Sequence, residues 1–254
     1  MFPVICIFGI DLAVFPILLL IAICICAIYC INSKKYCIEY YRDLMKIMFY
    51  PIVCAFLCGR TLYALTLKPS SVALFLKYVI DGGFVFYGGL FGAVVGLIIF
   101  CKIEKYNVFD YTDVFLSILP LGQAIGRIGC YFNGCCYGRI YDGPFSIEYS
   151  VNNDTLNVFP TWFIESIFLL SLFLYFQFLG KCLYRGYWTG VYLIVYSVFR
   201  FVLEFFRGDS IRGFWLCLST SQWISLVVFM SGIFVFLYTK RKKNKNTLIK
   251  EIIL

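Results

Sequence analysis

The chain has 254 residues, 62% of them hydrophobic and 14% charged, with a formal net charge of +8. Soluble domains carry roughly 25% charged and about 45–50% apolar residues, and the excess here runs in stretches close to the ~20 residues an α-helix needs to cross a hydrocarbon core. A soluble fold is excluded, and because the chain holds no histidine, the commonest zinc ligand and the usual general base at neutral pH are excluded with it.

The expected class is an all-α polytopic membrane protein with about seven transmembrane helices, at 14–30, 47–67, 84–101, 111–128, 162–179, 190–206 and 222–238. The first cationic residue is Lys34, so no removable secretory signal is expected and the first apolar stretch reads as a retained span. Cys24, Cys26 and Cys30 in that stretch, and Cys54 and Cys58 in the second, read as small buried hydrophobes. The fourth span is the weakest, diluted by Thr112, Asp113, Gln123 and Arg127.

Lys and Arg are retained on the cytoplasmic side. Segments after the odd-numbered spans hold fourteen (Lys34, Lys35, Arg42, Lys46, Lys102, Lys105, Lys181, Arg185, Lys240, Arg241, Lys242, Lys243, Lys245, Lys250). The others hold six (Lys68, Lys77, Arg127, Arg139, Arg207, Arg212). The expectation is an N-terminus outside and a C-terminus inside, in a single domain over 1–254 that ends in a short basic cytoplasmic tail at 240–254. A juxtamembrane basic run of this kind attracts anionic lipid, and no nucleic-acid partner is expected.

Four blocks interrupt the apolar pattern. Gly88, Gly92 and Gly96 place small residues on one helical stripe, which suits close helix packing or the approach of a lipid chain. Residues 122–139 are rich in glycine and aromatics and carry Arg127 and Arg139 at a span end. A guanidinium binds two phosphate oxygens at once, and the glycines beside Arg127 leave room for a phosphate; an arginine snorkelling to the interface is the alternative. Pro160 starts the fifth span with Glu165 in its first turns, where the helix dipole favours a carboxylate, so a structural and a catalytic role both stand. Tyr196, Arg200 and Glu204 recur every four residues on one face of the sixth span. That stripe reads as lining a cavity, or as a buried ion pair between Arg200 and Glu204.

Together these blocks resemble the bacterial prolipoprotein diacylglyceryl transferase family through nearly the whole chain. Gly59-Arg60-Thr61-Leu62-Tyr63 is similar to the family's Gly-x-Arg-hydrophobic-Tyr, and Tyr87-Gly88-Gly89-Leu90-Phe91-Gly92 to its His-Gly-Gly-Leu-x-Gly. Gly126-Arg127-Ile128-Gly129, Asn133-Gly134 and Gly138-Arg139 match its signature, and Tyr196, Arg200, Phe201 and Glu204 its sixth-span stripe. Four departures stand out: Tyr87 replaces the histidine, Cys130-Tyr131 stand where the signature has Asn-Phe, Cys135 where it has Glu, and Phe15-Pro16 where the family has a Tyr-Gly pair.

The resemblance implies a seven-span enzyme of the inner membrane. Its partners would be phosphatidylglycerol, membrane lipid and a prolipoprotein signal peptide whose lipobox cysteine receives the diacylglyceryl group. It also implies that Arg127 and Arg200 handle the phosphate, with Gly88, Gly89, Arg60, Gly126, Gly129, Gly138, Asn133 and Tyr196 around the substrate. Asn133 would orient a head-group oxygen. The nucleophile is a thiolate, and a free thiol is mostly protonated at neutral pH, so a proton acceptor is required; Glu204 is favoured over Tyr87, since a free tyrosine titrates near ~10. No metal or organic cofactor is required for the transfer. A non-catalytic phospholipid-binding or transport protein on the same fold is the second reading. Cys130, Cys135 and Cys136 as a redox or metal cluster is a third, weakened by adjacent cysteines being poor ligand spacing.

Overall fold

A computed structural model describes residues 4–7, 10–32, 41–151, 154–179, 184–208 and 213–253. The chain is mostly helical: α1 Val14–Asn32, α2 Tyr41–Thr66, α3 Val72–Asp81, α4 Phe86–Ile103, α5 Val108–Phe132, α6 Thr161–Leu174, α7 Tyr187–Leu203 and α8 Thr220–Ile253. A π turn, Tyr175–Leu179, prolongs α6, and a 3-10 turn, Glu204–Phe206, prolongs α7. Each predicted span coincides with a helix. Met48–Thr66, Val108–Phe132, Thr161–Phe178, Tyr187–Phe206 and Thr220–Lys243 are long and apolar enough to cross a membrane, while Val14–Tyr29 and Gly88–Ile103 are shorter apolar helices. Outward-facing Phe56, Ile167, Val227, Met230 and Phe234 are more than half exposed, a distribution that water penalises and lipid favours.

The all-α reading needs two corrections. Among the described residues three antiparallel strand pairs lie outside the helices: β1 Val4–Ile7 with β2 Ile10–Ala13 ahead of α1, and, in connections, β3 Ile147–Val151 with β4 Asp154–Val158 and β5 Phe214–Trp215 with β6 Leu218–Ser219. Strands of two to five residues are too short to impose a visible alternation on the sequence. Helix α3 is the second unforeseen element, too short for a span and started by Ser71, whose hydroxyl accepts from Leu74 N at 3.3 Å.

The fold divides into two compact units, residues 33–111 and residues 1–32 with 112–254. In the first, α4 lies on α2 through the glycine stripe: a Cβ on Gly88, Gly92 or Gly96 would stand within 2.7 Å of the α2 carbonyls of Cys58, Cys54 and Tyr50 respectively. Helix packing therefore accounts for that stripe. Gly89 is covered by the Phe84 ring, and Arg60 Nη1 donates to the carbonyls of Val79 and Ile80 at the end of α3, where a cation complements the helix dipole.

In the second unit, α5 from Thr112 onward carries polar residues that find partners on neighbouring helices. Asp113, 6% exposed, accepts from the Gly186 and Thr189 amides at 2.6 and 2.8 Å and from the Thr189 hydroxyl at 2.7 Å. It thereby caps the N-terminus of α7, the end that favours an anion. Gln177 Nε2 donates to the Ser117 carbonyl at 3.0 Å, and Ser166 Oγ to that of Ala124 at 3.0 Å. Leu172, Phe176, Trp188 and Tyr192 form the apolar core beside them.

Candidate active site

Arg127 and Gln123 lie one turn apart on α5, Glu165 sits in the second turn of α6, and Tyr192, Tyr196 and Arg200 descend one face of α7 to Glu204. Arg127 Nη2 is 3.0 Å from Glu165 Oε1, and Arg200 Nη1 is 3.8 Å from Glu165 Oε2. The Tyr196 hydroxyl donates to Glu165 Oε1 at 3.2 Å, and one turn above it the Tyr192 hydroxyl donates to Gln123 Oε1 at 2.7 Å. The two tyrosine rings are stacked, 5.5 Å between centroids. Two of the expected residues, Arg127 and Arg200, thus share a single carboxylate whose side chain is 3% exposed.

Burying one unpaired charge costs several kcal/mol, so a group of this kind persists only when cations and anions are matched and hydrogen-bonded. The match is two against two: Arg200 Nη2 also meets Glu204 Oε2 at 2.9 Å. Nη1 of Arg200, by contrast, is buried and makes no hydrogen bond among the described residues.

Glu204, the proton acceptor favoured from the sequence, is held on both oxygens. Beyond Arg200, its Oε1 accepts from the Ser219 hydroxyl at 3.0 Å. That hydroxyl belongs to a capping box at the start of α8: Ser219 Oγ accepts from Gln222 N at 3.2 Å while Ser219 N donates to Gln222 Oε1 at 2.9 Å. Tyr87 is the second residue of α4, but its side chain lies outside the described residues, as does Arg212. Arg60, Gly88 and Gly89 belong to the unit of residues 33–111 and have the partners given above.

The signature loop is a Schellman ending to α5. Gly134, at φ +69°, takes the left-handed position; its amide donates to Tyr131 O at 3.2 Å, and that of Cys135 reaches back to Cys130 O at 3.1 Å. Asn133, exposed, closes the helix with its amide on Gly129 O at 3.0 Å. The next three carbonyls are all taken. The Tyr149 hydroxyl donates to Gly134 O, Trp162 Nε1 to Cys135 O at 2.5 Å and Thr161 Oγ1 to Cys136 O at 2.9 Å. Hydrogen bonds from the Cys130 and Cys135 thiols, with the charges of Arg207 and Arg127 behind them, hold the Cys136 thiol well below its ordinary range.

Beyond the turn, Gly138 bridges antiparallel to Arg207, and its amide neighbour Arg139 donates to Phe206 O at 2.9 Å. A Cβ on Gly138 would stand 2.1 Å from the Phe159 carbonyl, which is why glycine is required there. Gly129 faces Phe15 at 3.0 Å, whereas the Cβ direction of Gly126 opens onto free space. Residue 126 precedes Arg127, so that space adjoins the guanidinium's own turn of helix.

Glu165 is the member that sequence reasoning undervalued, because a carboxylate near a helix start has an ordinary structural role. The sequence feature that sets it apart is that it is the one charged residue of its apolar span.

A family model described as prolipoprotein diacylglyceryl transferase matches residues 3–238. The chain is 31% identical over 213 residues to the phosphatidylglycerol--prolipoprotein diacylglyceryl transferase of Bordetella parapertussis, covering 80% of each. It is 32% identical over 204 residues to the Clostridium perfringens protein named phosphatidylglycerol--prolipoprotein diacylglyceryl transferase 2, covering 77% of this chain and 78% of that one. With the Finegoldia magna protein of the same enzyme name it shares 29% over 242 residues, 93% of this chain and 94% of that one.

Proposed function

This chain belongs to the prolipoprotein diacylglyceryl transferase family, and we propose that it moves the diacylglyceryl group of phosphatidylglycerol onto the lipobox cysteine of a prolipoprotein, with Arg127 and Arg200 as the phosphate ligands and Glu165 as their exchangeable counterion. The observation that carries this reading is the single carboxylate shared by both guanidiniums.

An anion already lies between the two cations, so a lipid phosphate enters by exchange rather than into an unbalanced field. Arg127 turns its fork to the phosphate, and Nη1 of Arg200 gains an acceptor. Glu165, deprived of its cations, becomes a better proton acceptor. The incoming thiol gives its proton to that carboxylate, and sulfur attacks the glycerol carbon that bears the phosphate ester. The S–C bond forms as the C–O bond breaks, and glycerol phosphate leaves with the electron pair, its charge met by the arginines. Glu204 and Ser219 hold Arg200 in place during the exchange.

The reading includes the whole chain as one transferase domain of seven spans in the bacterial inner membrane, N-terminus outside and C-terminus inside. The shorter apolar helices at the first and third predicted spans and the Lys/Arg asymmetry support it. Purified protein given phosphatidylglycerol labelled in its non-acylated glycerol and a lipobox peptide should release labelled glycerol phosphate in step with peptide lipidation. Binding of the lipid with no release would contradict it.

A further inference from the structure

Cys130, Cys135 and Cys136 have no part in the transfer as derived, yet the fold gathers them closely. Their three Sγ atoms all lie within 4.8 Å of one another. Two features of the backbone bring this about. Cys130 and Cys135 occupy the two positions of a Schellman ending whose side chains meet, a pair more often filled by apolar residues. Cys136 then adopts φ +62°, a left-handed conformation that a residue with a Cβ rarely takes. That conformation turns the third sulfur towards the other two, where an extended chain would send neighbouring side chains to opposite faces. The three consecutive carbonyls fixed by Tyr149, Trp162 and Thr161 hold the turn in this shape.

We propose that Cys130, Cys135 and Cys136 form a trithiolate site for a soft divalent cation of the zinc class. Zinc–thiolate bonds of ~2.3 Å place tetrahedral sulfurs about 3.8 Å apart, so sulfurs within 4.8 Å close around the ion with shifts of roughly 1 Å or less. A disulfide would use two of the thiols and leave the third behind, whereas a cation uses all three. Soft thiolate ligands select zinc over the hard cations. Three thiolates around a divalent ion leave one negative charge, and Arg127 Nη1 stands 3.9 Å from Cys136 Sγ to balance it. Among the described residues no further Cys, Asp or Glu joins the group, so water completes the coordination. The role is structural: the ion ties the end of α5 to the turn that follows and fixes the helix from which Arg127 projects.

The test is elemental analysis of the full chain, purified in detergent under argon without chelator, then loaded with zinc and desalted. One zinc per chain is expected, falling at least fivefold in Cys136→Ser and in Cys130→Ser and unchanged in Cys217→Ser, an exposed cysteine elsewhere. Cobalt loading should give intense thiolate-to-metal charge-transfer absorption in the wild type and not in the two serine variants. Metal-free wild type with three alkylatable thiols after loading overturns the proposal, as does intact mass two hydrogens short with a disulfide in the cluster. Metal retained in both serine variants does so too. The readout does not depend on lipid transfer, so it fails or succeeds independently of the proposed function.

Discussion

Arg127 on α5 and Arg200 on α7 approach opposite oxygens of the Glu165 carboxylate, at 3.0 and 3.8 Å. The unequal distances matter: Arg127 makes a tight pair, while Arg200 is anchored more firmly on Glu204 at 2.9 Å. Arg127 is the more exposed of the two, at 21% against 12%, and in the proposed reaction it is the cation better placed to leave its counterion for a phosphate.

Replacing Glu165 by glutamine removes the charge and keeps the shape. Lipidation by Glu165→Gln should fall by about 10²–10⁴-fold, the range for losing a positioned proton acceptor, while phosphatidylglycerol still binds. Rate and lipid affinity measured side by side on the purified variant check this. Near-normal turnover would assign the carboxylate a packing role only.

Arg200→Lys keeps a positive charge but loses the planar fork that reaches Glu165 and Glu204 together. Transfer should drop at least tenfold, with protein abundance in the membrane close to wild type. Turnover equal to wild type would show that charge alone suffices at this position.

Gly126 and Gly138 should respond differently to the same methyl group. Gly126→Ala meets no atom within 4 Å, so the fold should melt as wild type does, while kcat/KM falls because the space beside Arg127 narrows. Gly138→Ala drives a Cβ into the Phe159 carbonyl and should lower both the melting temperature and the amount of folded protein. Thermal unfolding in detergent separates the two outcomes.

Asp113→Ala removes three hydrogen bonds from the start of α7. A hydrogen bond to a charged group is worth about 1.5–3 kcal/mol, so a clear fall in melting temperature is expected, with activity retained by the fraction that stays folded. Loss of activity without loss of stability would point to a role in the reaction instead.

The apolar helices were legible because a soluble fold of this size cannot bury so many continuous apolar stretches, and the α7 stripe was legible because Tyr196, Arg200 and Glu204 repeat with the helix period. Glu165 carried no such periodicity, and its pairing involves two arginines far away in sequence. The fourth span looked weak for the reason that makes it central: Asp113, Gln123 and Arg127 find their partners on α6 and α7. Adjacent cysteines likewise argue against a cluster until the left-handed turn at Cys136 is seen.

The direct test of the shared carboxylate is single-turnover lipidation of a lipobox peptide by purified Arg127→Ala, Arg200→Ala and the double variant. If both guanidiniums grip one phosphate, each single variant should lose at least a hundredfold in rate, and the double variant should be little worse than either. Wild-type-like lipidation in either single variant, with the protein folded, would contradict that arrangement.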